Sequence, residues 1–142
     1  MKRVQQLLDY LNTNPNAVIR LRSFNIILNF HSDASYLSAG NGRSRSGGYF
    51  FMGSLPHEGE PIHLNGNIAV TCAILKLVAS SAADAELGAL FLNTKEARII
   101  WLTLAKLGQP QPQTPIHIDN PTAVGILNNT IKRQQYRTME MR

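Results

Sequence analysis

The spacing of the apolar residues changes once along the chain, and this change restricts the folds that the sequence can adopt. Apolar and polar residues alternate over 24–33, and short apolar or aromatic runs follow at 49–52 and 68–75. Alternation with a period of two is typical of β-strands. From Ser81 onward the apolar residues recur at three- and four-residue spacing, which is typical of helices. Three consecutive strands followed by helices predict an α/β fold that begins with an antiparallel meander.

Turn and breaker residues separate the elements of the first half. A short helix is predicted over 2–11, and it ends at the breaker cluster 12–16. The first strand, 24–33, is predicted to end in a polar turn at 32–35. The stretch 40–48 is rich in glycine, serine and arginine, and it is predicted to be a flexible basic loop.

Capping residues mark the first helical region of the second half. The sequence SAAD at 81–84 resembles a capping box, with Asp84 in place of a glutamate. A second helical segment is predicted to begin near Asn93 and to stop at Gly108.

A strand and a further helix are predicted after this region. The strand covers 116–119, and Asn120 is the predicted N-cap of a helix that ends near Asn128. Residues 130–142 are basic and are predicted to be helical or frayed. The predicted order is βββ-α-β-α, with no internal repeat and no second folded domain.

Composition limits the class of protein. The 142 residues and 15.7 kDa match one average domain, and 44% hydrophobic residues are enough to form a core. Lys76 interrupts the longest apolar stretch, so no membrane span is predicted, and no signal peptide is expected. The single cysteine, Cys72, argues against a disulfide scaffold and favours an intracellular protein. A net charge of +5 is weak evidence for a polyanionic partner.

Three acidic residues stand where ordinary surface acids are uncommon. Asp33 and Asp119 each end a predicted strand, and Glu86 shares a predicted helix face with apolar residues. Those apolar residues are Leu90, Ala97, Trp101 and Leu104. An acid on an apolar face needs a partner, a proton or a cation, and Mg²⁺ prefers carboxylate oxygens. The pattern is compatible with a Mg²⁺ site, and a turn, cap or helix-terminus role for each acid is the other interpretation.

Four short blocks of sequence carry a resemblance to a known family. They follow one another as HSDASY (31–36), RSRSGGYFFMG (43–53), SAADAEL (81–87) and IDNPTA (118–123). Together they resemble the ribonuclease H domain of copia-type LTR retrotransposon polyproteins, which also contain the reverse transcriptase. The resemblance covers almost the whole chain. The third block departs from the family pattern, because Ala82 replaces a serine and Asp84 replaces a glutamate.

The resemblance implies a ribonuclease H-like fold. Such a fold has a mixed sheet with three antiparallel strands, a fourth strand parallel to the first, and helices packed on the sheet. Residues 1–17 resemble the end of the polymerase connection region, and 18–142 resemble the ribonuclease H domain. In the family a further strand and a final helix follow, and that helix supplies a fourth carboxylate. The resemblance therefore implies a C-terminally truncated domain, and Glu140 is not counted as a replacement ligand.

The resemblance also implies an activity, the Mg²⁺-dependent endonucleolytic hydrolysis of the RNA strand of an RNA–DNA hybrid. The catalytic and metal-binding acids of the family correspond to Asp33, Glu86 and Asp119. Two Mg²⁺ ions about 4 Å apart, or Mn²⁺ in their place, would be the cofactors. The implied partners are the hybrid and the polymerase and connection domains of the same polyprotein. The implied location is the cytoplasm, the particles of the element, or the nucleus.

Five further residues are candidate nucleic-acid contacts. Ser80, Ser81 and Asn120 flank the acids and could bind 2′-hydroxyl groups, and helix capping is the other interpretation of these residues. Arg43 and Arg45 could contact phosphates, and a solvated basic loop explains them equally well.

Two other functions stay open at the level of the sequence. The first is a truncated, non-catalytic remnant that keeps the fold and binds nucleic acid. The truncation and the altered third block favour the remnant, and the three acids favour the enzyme. The second is a related nuclease or integrase-like protein that acts on DNA, since one fold can host several phosphoryl-transfer reactions.

Overall fold

The computed structural model describes residues 2–22, 25–57 and 63–130, which form a four-stranded mixed sheet with three α-helices. The helices are α1 (Lys2–Thr13), α2 (Ala82–Lys106) and α3 (Pro121–Leu127), and the strands are β1 (Ile27–Ala39), β2 (Arg43–Gly53), β3 (Asn67–Ile74) and β4 (Ile116–His117). A short 3₁₀ turn, Gly40–Gly42, joins β1 to β2. The order of the elements confirms the predicted α/β class.

The strands lie in the order β3-β2-β1-β4. β1 pairs antiparallel with β2, and β2 pairs antiparallel with β3, so the predicted meander is confirmed. β4 lies on the other side of β1 and pairs parallel with it at Phe30↔Ile116 and His31↔His117. It is shorter than the predicted strand 116–119. A parallel return needs a crossover connection, which α2 and the loop after it provide.

Two loop predictions in the first half of the chain are wrong. β1 does not end at 32–35 but continues to Ala39, and most of the predicted basic loop, 40–48, is the first half of β2. Ser44 and Ser46 are buried there, and Ser46 pairs with β1. Pairing between strands and burial therefore override the local turn preference of glycine and serine.

Helix α2 is continuous over 25 residues, so the predicted break near Asn93 is wrong. The predicted start is confirmed, because Ser81 is the N-cap and its Oγ accepts a hydrogen bond from Asp84 N at 3.1 Å. Gly108 follows the helix with φ 83°, a conformation that glycine adopts easily, and it marks the predicted end.

The main core lies between α2 and one face of the sheet. Its buried side chains are Leu28, Phe30, Phe50, Met52, Leu90 and Ala97. Phe30 and Phe50 stack with their ring centroids 5.4 Å apart. Trp101 and Leu104 pack against this cluster from α2, as the predicted helix face requires. Burial of a large apolar side chain contributes about 1.5–3 kcal/mol, so these contacts are the main stabilising force of the sheet–helix layer.

Some sequence predictions fall outside the described residues. These are Phe24, at the start of the predicted first strand, and the helical or frayed character of 131–142. The N-terminal helix is present as α1, and none of the residues that the structure describes in it is buried.

A buried amide joins α2 to the three antiparallel strands. Asn93 is 1% exposed, and its Nδ2 group donates to Ser32 Oγ of β1 at 2.9 Å and to the Gly47 carbonyl of β2 at 2.8 Å. Its Oδ1 atom accepts from Thr71 Oγ1 of β3 at 2.8 Å. A Cβ at Gly48 would lie 2.5 Å from this oxygen, so the close approach requires glycine. The network sets the position of α2 over the sheet.

Asn93→Ala is expected to lower the free energy of unfolding by about 2–4 kcal/mol, because it leaves three partners without their hydrogen bond. Urea unfolding followed by circular dichroism measures this change. Thr94→Ala, at an exposed position of the same helix, is the matched control and is expected to cost about 0.5 kcal/mol or less. Equal losses for the two variants would contradict the role of Asn93.

Candidate metal centre

The three acids selected from the sequence lie together. Asp33 is in β1, Glu86 is in the second turn of α2, and Asp119 lies two residues after β4. One carboxylate oxygen from each residue lies within 4.8 Å of those of the other two. Asp33 is inside a strand rather than at its end, because β1 is longer than predicted. Three separate elements therefore supply one cluster of carboxylates.

The parallel pairing of β4 with β1 places two of the acids side by side. His31 is in register with His117, and Asp33 and Asp119 each follow one of these residues by two positions. Residues two apart in extended chain point to the same side. The register of β4 thus places Asp119, which lies at a bend just after the strand, near Asp33 at one edge of the sheet.

Glu86 is buried and only partly satisfied. Its side chain is 6% exposed, and its Oε1 atom accepts a hydrogen bond from Ala34 N at 3.2 Å. β4 ends before this level of the sheet, so Glu86 occupies the place of a strand partner beside β1. Its Oε2 atom is buried without a hydrogen-bond partner among the described residues. Such an oxygen is costly unless it carries a proton or binds a cation.

The surroundings of Glu86 favour its neutral form when no cation is bound. The pKa of Glu86 is raised from 4.5 to about 7, and burial is the largest cause. The hydrogen bond from the Ala34 N–H lowers this pKa, whereas the negative charges of Asp33 and Asp119 and a side-chain hydrogen bond with Asp33 add to its increase. Among the described residues, no positively charged side chain contributes to the shift. A cation between the carboxylates would supply the missing positive charge.

The donor set fits a hard divalent cation. All three residues offer carboxylate oxygens, which Mg²⁺ and Mn²⁺ prefer over nitrogen or sulfur ligands. Asp33 and Asp119 are exposed, so water and substrate oxygens can reach the same place. Mg²⁺ usually keeps several such ligands beside one or two carboxylates. A cation held by this cluster would therefore remain accessible to a phosphate group.

Two of the three predicted hydrogen-bonding residues near the acids cap helices, and the third bonds a carboxylate of α2. The Ser81 side chain caps α2, and Asn120 Oδ1 accepts from two backbone N–H groups of α3 at 3.0 and 3.1 Å. The Ser80 hydroxyl donates to the buried carboxylate of Asp84. The contacts of Ser81 and Asn120 agree with the capping interpretation, whereas Ser80 is not a cap residue. Contacts of the same residues with nucleic acid stay a prediction.

The two predicted phosphate-binding arginines lie in β2. Arg45 is opposite Ser35 of β1, two positions from Asp33, so its side chain leaves the same face of the sheet as that of Asp33. Arg43 is exposed at the start of the strand, opposite Ala39. The strand thus brings Arg45, rather than Arg43, toward the candidate centre.

Two histidines beside the acids are missed by the sequence analysis as parts of the site. The ring centroids of His31 and His117 are 4.7 Å apart, and Phe51 stacks on His31 at 5.8 Å. Burial lowers the pKa of both rings, and that of His117 falls to about 4 with a smaller contribution from His31. Both shifts favour the neutral rings at pH 7, and the two rings line an open cavity of about 660 Å³ together with Asp119. The alternation that places His31 on the face of Asp33 was the available sequence signal.

Comparison with known proteins adds no assignment. The chain matches no family model, no curated protein and no solved structure. None of the helices in the described part of the chain has the length and apolar composition needed to cross a bilayer. The functional interpretation therefore depends on the chemistry of the three acids and on the sequence blocks.

The contribution of Glu86 to the stability of the cation-free protein is expected to fall as the pH rises from 4.5 to 7. Below pH 4.5 the Glu86 carboxyl is protonated in the folded and the unfolded protein. Between pH 4.5 and pH 7 only the unfolded protein releases this proton. Glu86→Gln removes this dependence, so its stability relative to the native sequence should increase by up to about 3 kcal/mol across that range. Urea unfolding in a chelator at several pH values measures the difference.

The matched control for this experiment is Glu96→Gln, at an exposed position of the same helix. It is expected to keep the pH dependence of the native sequence. If the free energy of unfolding changes with pH in the same way for Glu86→Gln and the native sequence, Glu86 is ionised in the folded state. That result would refute the raised pKa of Glu86.

Proposed function

We propose that this chain is a Mg²⁺-dependent endonuclease domain of the ribonuclease H type, which hydrolyses the RNA strand of an RNA–DNA hybrid as part of a retrotransposon polyprotein. The observation that carries the proposal is the meeting of Asp33, Glu86 and Asp119, from three separate elements, within 4.8 Å. The buried Glu86 oxygen, which has no hydrogen-bond partner among the described residues, supports a bound cation rather than a chance group of surface acids. The strand order and the four sequence blocks support the fold assignment.

The three carboxylates would hold the metal, and their surroundings give them different tasks. Glu86 is held by the Ala34 N–H and shielded from water, so it defines a fixed inner side of the centre. Asp33 and Asp119 are exposed and form the side that a phosphate approaches. A Mg²⁺ ion held by these residues would supply the activation of the attacking water and the stabilisation of the leaving oxygen. The chain therefore has no need of a side-chain nucleophile.

The proposed substrate follows from charge and from the difference between RNA and DNA. The net charge of +5 is compatible with a polyanion, and Arg45 on the face of Asp33 is suited to a phosphate. Only the RNA strand carries 2′-hydroxyl groups, which hydrogen-bonding groups beside the acids can recognise. Ser80 is exposed next to α2 and is the first candidate for this contact.

Asp33→Asn and Asp119→Asn are each expected to reduce hybrid cleavage in Mg²⁺ by about a hundredfold or more, because each removes a charged ligand oxygen. A hybrid labelled on the RNA strand, resolved on a denaturing gel, measures the rate. Asp9→Asn is the matched control, because Asp9 is an exposed acid of α1, and it is expected to cut at the native rate.

Duplex DNA and duplex RNA serve as the comparison substrates in the same assay. Cleavage of the hybrid alone supports the proposal, and cleavage of duplex DNA would favour the integrase-like alternative. If none of the three substrates is cut while the protein is folded and binds Mg²⁺, the non-catalytic remnant is the better description. Native rates for both aspartate variants would refute the site assignment.

Binding of the metal itself is a separate prediction with a readout other than activity. At a Mg²⁺ concentration about 100 times the Kd, the folded state should gain about 2.7 kcal/mol, which raises the melting temperature. Asp33→Asn and Asp119→Asn should bind Mg²⁺ about tenfold or more weakly than the native protein. Loss of a hydrogen bond to a metal ligand already lowers metal affinity by about tenfold or more, and loss of the ligand itself should cost at least as much. Calorimetric titration with Mg²⁺ and Mn²⁺ measures both effects. Equal affinities in the native protein and the two variants would place the metal elsewhere.

A further inference from the structure

β3 is an edge strand whose outer side is unpaired in the described part of the chain. It pairs with β2 on one side, and no backbone hydrogen bond joins its other side to a described segment. On the sheet face that points away from α2, Ile68, Val70 and Ile74 are 47–60% exposed, and Cys72 is exposed as well. The strand therefore offers both backbone groups and an apolar strip to a partner.

This edge lacks the features that usually keep edge strands from pairing. Natural edge strands are protected by charged side chains, by proline or by a bulge in the middle of the strand. The eight residues of β3, NIAVTCAI, include no charged residue and no proline. The irregularity in its pairing with β2 lies near Phe51, at the N-terminal end of β3. Nothing in the middle of the strand opposes a second strand.

The sequence of β3 reads almost the same in both directions. Residues 68–74 are IAVTCAI, with Thr71 at the centre. In an antiparallel pair of identical strands centred on one residue, positions at equal distance from the centre face each other. The facing pairs around Thr71 are Ile68 with Ile74, Ala69 with Ala73, and Val70 with Cys72. Pairs of apolar and β-branched side chains are favourable across strands, and no like charges meet.

We propose that two copies of this chain associate through β3, antiparallel and around a two-fold axis at Thr71, to form a continuous eight-stranded sheet. Facing residues of an antiparallel pair point to the same side of the sheet, so the two α2 helices lie on one face. The apolar strip of Ile68, Val70, Cys72 and Ile74 continues from one copy to the other on the opposite face. The contact is isologous and closes at the dimer.

The size of this contact sets its strength. Eight residues of strand span about 26 Å, and pairing of one strand from each copy buries less area than a standard interface of about 1,600 Å². A Kd in the micromolar range is expected from such a small contact. The dimer should therefore form at micromolar concentrations and dissociate on dilution.

The first test is the mass of the protein in solution. Sedimentation equilibrium at micromolar concentrations should give a mass that rises from 15.7 kDa toward twice this value. Val70→Lys places a charge in the middle of the edge on both sides of the axis, and it should weaken association about tenfold or more. Val78→Lys is the matched control, because Val78 lies outside β3 and is 65% exposed against 60% for Val70. It should associate like the native chain.

The second test is the register of the pair. Val70→Cys places a thiol opposite Cys72 of the other copy, where facing Cα atoms are about 4.5–5.5 Å apart and a disulfide can form. The variant V70C/C72S keeps only the thiols at position 70, which are diagonal neighbours about 7–8 Å apart and too far for a disulfide. Mild oxidation followed by a non-reducing gel should give cross-linked dimer for V70C and much less for V70C/C72S.

Each result of these tests decides the proposal. A concentration-dependent dimer that Val70→Lys disrupts and Val78→Lys preserves, together with register-specific cross-linking, supports it. A native chain that stays monomeric throughout the micromolar range, or that forms larger assemblies instead of dimers, overturns it. Equal cross-linking of the two cysteine variants overturns the pairing around Thr71.

Discussion

The contact on which the rest of the structure depends is the buried amide of Asn93 between α2 and the sheet. It is bonded to one group on each of β1, β2 and β3, so the helix cannot slide or rotate without breaking hydrogen bonds to all three. Glu86 precedes Asn93 by seven residues, which is close to two helical turns, and both side chains leave the same face. The hydrogen bonds of Asn93 to Ser32 and Gly47 therefore also determine where Glu86 contacts β1.

The sequence pattern predicts the classes of the elements better than their ends. The alternation near Leu28 and the helical spacing after Ser81 reflect burial on one face, which is a property of each segment alone. The predicted loop at 40–48 and the predicted turn at 32–35 fail because strand pairing is decided by distant residues. Asn93 is misread as a helix start for the same reason, since its three partners lie far away in the chain.

The sequence predicts a member of the candidate site only where the residues of its own helix or strand mark it. Glu86 stands out because an acid on an apolar helix face needs a partner, a proton or a cation. The structure buries Glu86, and one of its oxygens has no hydrogen-bond partner within the described part of the chain. The nearness of Asp33 to Asp119 depends instead on the register of β4, which no periodicity of a two-residue strand can reveal. The neutral His31–His117 pair has the same origin, because it exists only through that register.

The proposed metal centre and the proposed dimer contact lie at opposite edges of the sheet. At the β4 edge a short strand leaves β1 open at Ala34, and the carboxylates gather in this gap. At the other edge β3 is long and lies in register with the site, since Asp33 faces Gly47 and Gly47 faces Cys72. In the proposed dimer five strand spacings, about 24 Å, would separate the two copies of Asp33. Association through β3 would thus leave both centres open to substrate, because it uses the edge that the carboxylates do not occupy.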